Sequence, residues 1–157
     1  MPMIDPIAAI LKLFSDNTNV RAVVGDRVAG KHKFAQAGSP NAWKTGEYCI
    51  VAKDDPGTTP DIDIGDHVGR VELRCYGATP AAARTVYNSL IHLMRDITGR
   101  TTANTSNGTA LIYSLVMDAS PFTTVDPDLS IDMVVGYARY RIHEYALEEY
   151  QEWLELQ

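Results

Sequence analysis

The sequence predicts an α+β domain: a mainly antiparallel sheet, amphipathic helices packed on it, and an extra helix at the C-terminus. Residues 70–76 alternate as a half-buried strand does, with Val71, Leu73 and Cys75 on one face and polar side chains on the other. Gly77 ends this strand, and a helical pattern starts at Thr79-Pro80. A strand that leads directly into an amphipathic helix is the nucleus of a helix-on-sheet layer.

The helix after Pro80 has one apolar stripe, made of Ala83, Val86, Leu90, Leu93 and Ile97. Before the strand, Asp5-Pro6 is an N-cap followed by a first-turn proline, and it predicts a first helix of about three turns. Residues 17–24 predict a second, shorter helix that Gly25 ends.

The middle of the chain predicts one strand between two irregular segments. Residues 30–46 are rich in glycine, serine, lysine and asparagine and predict a long loop, whereas residues 47–53 predict a strand. Residues 54–66 hold two prolines, two glycines and five aspartates. That composition is too acidic and too broken for a core element, so a mobile excursion between two strands is expected.

The last third predicts two more strands and a helix. Residues 99–108 are a polar connection, residues 110–117 a strand, and residues 120–130 a turn region. Residues 132–142 predict the longest strand, and residues 144–157 an acidic amphipathic helix with Leu147, Tyr150 and Leu154 on one face. The chain has 157 residues, the size of one domain, so residues 1–157 are predicted to form a single unit.

Composition excludes several classes of protein. The formal net charge of −6 disfavours a general nucleic-acid surface, which needs clustered lysine and arginine. No apolar run reaches the roughly 18 residues of a membrane-spanning helix, so no membrane partner is expected. Cys49 and Cys75 both fall in predicted strands and are expected to be buried and reduced.

Two motifs resemble ligand sites without meeting their requirements. Residues 25–31 have P-loop spacing, but His32 stands where serine or threonine should hold magnesium, and a loop follows instead of a helix. Residues 61–72 resemble a calcium loop, but the fifth and sixth positions are wrong. The four histidines lack metal-ligand spacing and no nucleophile motif is present, so no catalytic residue, cofactor or metal is predicted.

The order of parts is similar to that of a known family. The segments that carry this resemblance are residues 4–11, residues 23–28, the run Arg74-Cys75-Tyr76-Gly77-Ala78-Thr79-Pro80 ahead of a helix, and Asp126-Pro127-Asp128 before a long final strand. The chain resembles, over roughly residues 4–142, the tail terminator (tail completion) proteins of long-tailed bacteriophages. The predicted C-terminal helix lies beyond the resemblance.

The resemblance implies a non-enzymatic structural protein of the virion. Such a protein forms a six-fold ring on the tail tube, stops tube polymerisation and offers the surface to which the filled head docks. The implied partners are further copies of the chain, the tail tube protein and a head-completion or connector protein, with DNA passing through without specific binding. The implied location is the tail or neck of the virion, after assembly in the host cytoplasm.

Exposure and patterning suggest where partners bind, and the predicted interface residues are Asp61, Asp63, Asp66, Arg139, Arg141 and Trp153. The predicted C-terminal helix leaves an apolar stripe to bury, either on its own domain or on a neighbour. Two other functions remain open: a head-side connector or stopper, and a small-ligand or regulatory binding module. A hydrolase is the least favoured alternative.

Overall fold

The computed structural model describes residues 4–34, 42–55, 61–63, 66–97, 101–106, 108–145 and 155–156. The helices are α1 (Pro6–Asp16), α2 (Thr18–Val24) and α3 (Pro80–Arg95). The strands are β1 (Val28–Ala29), β2 (Cys49–Asp54), β3 (Asp61–Asp63), β4 (Asp66–Tyr76), β5 (Thr101–Thr105), β6 (Gly108–Met117), β7 (Phe122–Val125) and β8 (Asp132–Tyr145). The predicted α+β class is confirmed.

All the strands form one sheet in the order β1-β2-β4-β8-β6-β5, and every pairing is antiparallel except that of β1 with β2. β3 pairs with the first residues of β4, and β7 pairs with the first residues of β8. The two longest strands, β4 and β8, are therefore direct neighbours at the centre of the sheet.

The strand-to-helix nucleus forms as the sequence predicts. The Thr79 hydroxyl accepts a hydrogen bond from the Ala82 N–H at 3.1 Å, and Pro80 occupies the first turn. At Gly77 the chain approaches α3 so closely that a Cβ atom would lie 2.5 Å from the backbone nitrogen of Ala83. A glycine is therefore required where β4 turns into the helix.

The two N-terminal helices are also confirmed. Asp5 caps α1 by accepting from the Ile7 N–H at 2.9 Å, and Asn17 caps α2 by accepting from two backbone N–H groups at 3.0 Å. Gly25 ends α2 with a positive φ of 61°. Buried apolar residues of the three helices pack on one face of the sheet.

A smaller apolar cluster covers part of the opposite sheet face. Phe34 and Trp43, from the predicted loop, pack there with Tyr76, Met133 and Val135. Phe34 lies edge-on to both Trp43 and Tyr76, with ring centroids 5.4 and 5.3 Å apart. The other end of this sheet face is left open. Cys49 and Cys75 are both buried and free.

Three segments that the sequence predicts to be irregular contain strands. β3 lies in the predicted acidic excursion, β5 in the predicted polar connection and β7 in the predicted turn region. Each is short and lies at an edge of the sheet, where it is held by backbone bonds to a single neighbour. Such strands need little apolar content, so they leave little alternation in the sequence to detect.

The boundary of the last strand also differs from the prediction. β8 continues to Tyr145, paired with β6 as far as Thr109, so Glu144 and Tyr145 belong to the sheet rather than to a terminal helix. Residues 146–154 of the predicted helix lie outside the described residues, and Glu155 and Leu156 are exposed.

Candidate interface on the open sheet face

Alternation along the central strands places one set of side chains on the face away from the helices. This open sheet face comprises Asp66, Val68, Arg70, Tyr113, Val116, Phe122, Tyr137, Arg139, Arg141 and His143. The bulge between Ile112 and Ser114 adds Tyr113 to this face, where it lies against Arg141 and His143. The face thus combines arginine, tyrosine and exposed apolar side chains.

Arg70 and Arg139 lie directly opposite each other on β4 and β8. Two like charges in that position repel, and a carboxylate compensates for this. Asp118 follows β6, and its backbone N–H donates to the Tyr137 carbonyl at 2.8 Å. Its carboxylate lies 3.4 Å from Arg70 Nε and 2.9 Å from Arg139 Nε, while Asp55 lies 3.4 Å from Arg70.

A second carboxylate organises the other end of the face. Asp66 Oδ1 lies 2.8 Å from His143 Nδ1, and its other oxygen lies 3.5 Å from Arg141. The hydrogen bond from His143 is the main reason why the pKa of Asp66 is lowered, and Arg141 contributes in the same direction. Asp66 is therefore a carboxylate anchor for the Arg141 guanidinium and the His143 ring.

Aromatic rings orient two of the arginines, Arg70 and Arg141. The guanidinium carbon of Arg70 lies 4.4 Å from the centroid of the Tyr137 ring, and that of Arg141 lies 5.5 Å from the centroid of Tyr113. A stacked and ion-paired guanidinium has fewer accessible conformations, so less entropy is lost when it binds a partner.

The charges are layered, with the cations outermost. The side chains of Arg139 and Arg141 are 75% and 58% exposed, whereas those of Asp118 and Asp66 are 21% and 33% exposed. A guanidinium has five N–H donors, and the contacts to aspartate use only some of them. The face therefore presents guanidinium N–H donors to solvent, and the aspartates beneath them neutralise part of the positive charge.

Exposed apolar side chains lie beside these charges and, at Phe122, towards the covered end of the face. Val116 is 61% exposed and pairs across the strands with Arg139, and Phe122, Val68 and Tyr113 are also exposed. Tyrosine and arginine interspersed with apolar groups are the composition enriched at the centres of protein interfaces.

A separate polar network holds the turn between β7 and β8, at the end of the sheet face that Phe34 and Trp43 cover. The Tyr76 hydroxyl donates to Asp126 at 2.9 Å, and the backbone N–H groups of Asp128 and Leu129 donate to the other oxygen of Asp126. Burial opposes ionisation of Asp126, but these hydrogen bonds and Arg74, 3.5 Å away, lower its pKa overall. The network fixes the turn that precedes β8.

The predicted interface residues fall into three groups. Asp66, Arg139 and Arg141 come together on the open sheet face. Asp61 and Asp63 lie in β3 beside the first residues of β4, and Trp153 lies outside the described residues. Sequence reasoning missed Arg70, Tyr113, Tyr137 and Asp118, because only the pairing of β4, β8 and β6 makes them neighbours.

Other kinds of site have little support in the part of the chain that is described. A shallow cleft between α2 and α3 is lined by Asn19, Val23, Thr85, Asn88, Ser89 and His92. No group of three or more histidine, cysteine, aspartate or glutamate side chains that could hold a metal ion occurs among the described residues. No described helix is long and apolar enough to cross a membrane.

The comparisons with known proteins give one informative likeness. No protein-family model matches the sequence, and no curated protein is significantly similar to it. Among solved structures, the chain is similar to a chain of the virion of a native gene transfer agent (GTA) particle, with a TM-score of 0.55 and 13% sequence identity. The alignment covers 87% of this chain and 92% of that chain, so the likeness extends over the whole fold.

Proposed function

We propose that this protein is a non-enzymatic structural protein of a phage virion that caps the tail tube as a ring. In that role it stops tube polymerisation and provides the surface for head-tail joining. The observation that carries the proposal is the likeness to a gene transfer agent virion chain, which extends over nearly the full length of both chains. A likeness of that extent indicates a common domain rather than a shared supersecondary unit.

The segments that carry the family resemblance form parts of the scaffold, which agrees with this role. Residues 74–80 form the junction of β4 and α3, and Asp126 holds the turn before β8. Both features set the scaffold and neither forms a catalytic constellation. These motifs suit a protein that acts through its shape and its surfaces.

The open sheet face supplies a surface of the kind that assembly requires. Its arginines are held in place by Asp66 and Asp118, and its exposed apolar residues lie beside them. The proposed partners are further copies of the chain in a six-fold ring, the tail tube protein and a head-completion protein. The proposed location is the tail or neck of the virion, with assembly in the host cytoplasm.

Tail length in the parent phage is the measurement that tests this proposal. The gene is deleted, lysates are imaged by electron microscopy, and a plasmid copy of the wild-type gene serves as the control. Overgrown tails of irregular length, restored to normal by the plasmid, are expected because nothing else would stop the tube. Virions of normal structure and infectivity without the gene would refute a structural role.

A head-side connector or stopper is the second candidate, because likeness to a virion chain is compatible with either side of the head-tail joint. The same images separate the two functions. Tails of normal length beside unattached or leaking heads would assign the protein to the head side of the joint. A small-ligand module, for which the α2–α3 cleft is a suitable feature, predicts a protein that stays monomeric with and without tube.

A further inference from the structure

We infer that the open sheet face binds the acidic C-terminal segment, residues 146–156, of a neighbouring copy of the chain. The inference deepens the proposed function and rests on it only for the existence of a ring. It follows from the charge layering of the face, the composition of the C-terminal segment, the direction of β8 at Tyr145 and the exposure of Leu156.

The most exposed charges on the face favour a partner that supplies hydrogen-bond acceptors. The side chains of Arg139 and Arg141 are more exposed than those of Asp118 and Asp66, so guanidinium N–H groups remain accessible to a partner. Carboxylates of that partner would form charge-assisted hydrogen bonds with these groups. The exposed Val116, opposite Arg139, favours a partner that also carries apolar side chains.

The C-terminal segment has both properties. Residues 146–156 contain four glutamates, Glu148, Glu149, Glu152 and Glu155, and no lysine, arginine or histidine. Leu147, Tyr150 and Leu154 recur among them at helical spacing. An apolar stripe flanked by carboxylates matches exposed apolar side chains flanked by guanidinium groups.

The course of β8 favours a neighbouring copy over the same copy. β8 passes Val135, opposite Phe122, then Arg139 and Arg141, and ends at Tyr145. At Tyr145 the strand is therefore directed away from the centre of its own open face. Leu156 is 84% exposed, so this apolar residue is not covered within its own chain. A segment of one copy that fits a different surface on the next copy makes a heterologous contact, the kind that can close a ring.

Charge reversal in the full-length protein tests this inference. One variant, R139E/R141E, reverses the face, and a second, E148R/E152R, reverses the segment. R21E/R95E is the matched control for R139E/R141E, because it makes the same change in net charge at two exposed arginines of α2 and α3. Oligomerisation of each variant is measured by light scattering after gel filtration and by native mass spectrometry. We expect each of the first two variants to weaken assembly by about tenfold or more, and the control to assemble as the wild type does.

An equimolar mixture of the two defective variants separates docking between copies from docking within one copy. In the mixture each reversed face meets a reversed segment on the other variant, and each normal face meets a normal segment. Assembly should therefore return as complexes that contain both variants in equal number. Docking within a chain predicts no recovery, because each chain still carries two surfaces of like charge.

Three other outcomes would overturn the inference. Normal assembly of R139E/R141E would overturn it, as would a mixture that fails to recover or a wild-type protein that stays monomeric alone and with tail tube. In the first two cases the tail-length phenotype is unaffected, so the proposed function survives. Failure of the proposed function is recognised separately, by virions of normal structure in the absence of the gene.

Discussion

The ring of Tyr140 lies directly across Gly69, its partner on the adjacent strand. A Cβ atom on Gly69 would be 2.5 Å from the Tyr140 hydroxyl oxygen and 2.7 Å from Cζ. The glycine is required because of this close approach, and it lets a fully buried tyrosine cross β4 on the helix-covered side of the sheet. The contact joins the two central strands through packing as well as through backbone bonds.

Gly69→Ala should therefore destabilise the protein. The added methyl group has no room beside the Tyr140 ring, and overpacking of this kind typically costs about 1–3 kcal/mol. Gly30→Ala is the control, because a Cβ atom there meets its nearest neighbours at 3.7 and 3.8 Å. Chemical denaturation of both variants compares the free energies of unfolding, and equal values would contradict the proposed packing.

Tyr140→Phe should leave stability unchanged or raise it by about 1 kcal/mol, because the variant removes a buried hydroxyl that has no hydrogen-bond partner among the described residues. Burial raises the pKa of Tyr140 to about 12, and the Asp54 and Asp5 carboxylates add to the effect.

Tyr76→Phe should, in contrast, destabilise the protein. It removes a buried donor to Asp126, so we expect a loss of about 1–2 kcal/mol. Thermal melts that rank the two variants in the reverse order would refute this assignment.

Asp54→Asn should raise the melting temperature at neutral pH. Partial burial, followed by the charge of Asp5, raises the pKa of Asp54, so the ionised carboxylate is disfavoured in the folded state. Because Asp54 is exposed at the end of β2, solvent screens this effect and the expected rise in melting temperature is small. A raised folded-state pKa means that the wild type gains stability as pH falls through that pKa. The advantage of the variant should therefore shrink towards acidic pH. Melting temperatures over the acidic and neutral range measure this, with Asp26→Asn, an exposed aspartate in the turn after α2, as control. A constant difference across pH would show that charge is not the cause.

Asp118→Asn should destabilise the open sheet face by about 1 kcal/mol, because it leaves Arg70 and Arg139 opposed without the carboxylate between them. The loss should diminish at high salt, where screening weakens the repulsion. Asp128→Asn changes an exposed aspartate and is the matched control. Denaturation at low and high salt tests both points, and a loss that does not depend on salt would indicate lost packing instead.

Asp126→Ala should cost about 2–3 kcal/mol. The variant removes the acceptor of two partly buried backbone N–H groups and of the Tyr76 hydroxyl, which is left as an unsatisfied buried donor. Because the turn leads into β8, hydrogen exchange should speed up first at residues 129–135. Uniform acceleration over the whole sheet would contradict a local role for the turn.

Local sequence signals were sufficient where an element carries its own pattern. The caps Asp5, Asn17 and Thr79 and the alternation of residues 70–76 each predicted an element that the structure contains. The predictions failed at β5 and β7, whose threonine-rich segments lack an apolar alternation. Those strands form because a long neighbour offers free backbone groups, which is a property of the partner strand.

The candidate interface could likewise be predicted only where the signal is local. Asp66, Arg139 and Arg141 could be selected from sequence as polar residues near strand ends, but their ion pairs depend on which strands are neighbours. Arg70 and Asp118 are far apart in sequence, and they meet because β4, β8 and the end of β6 lie side by side. A long central strand with alternating apolar and polar residues does not reveal, from its own sequence, which two strands will pair with it.

Local signals in the sequence specify the fold class, the positions of the three described helices and the two faces of the central strands. Caps, prolines and periodicity act within a few residues, so they can be recognised from the chain alone. The strand order, the three short edge strands and the layer of arginines over aspartates on the open sheet face become visible only when the chain is folded. Those features depend on pairings between distant segments, whose stability comes from backbone hydrogen bonds and packing that form only when the segments meet.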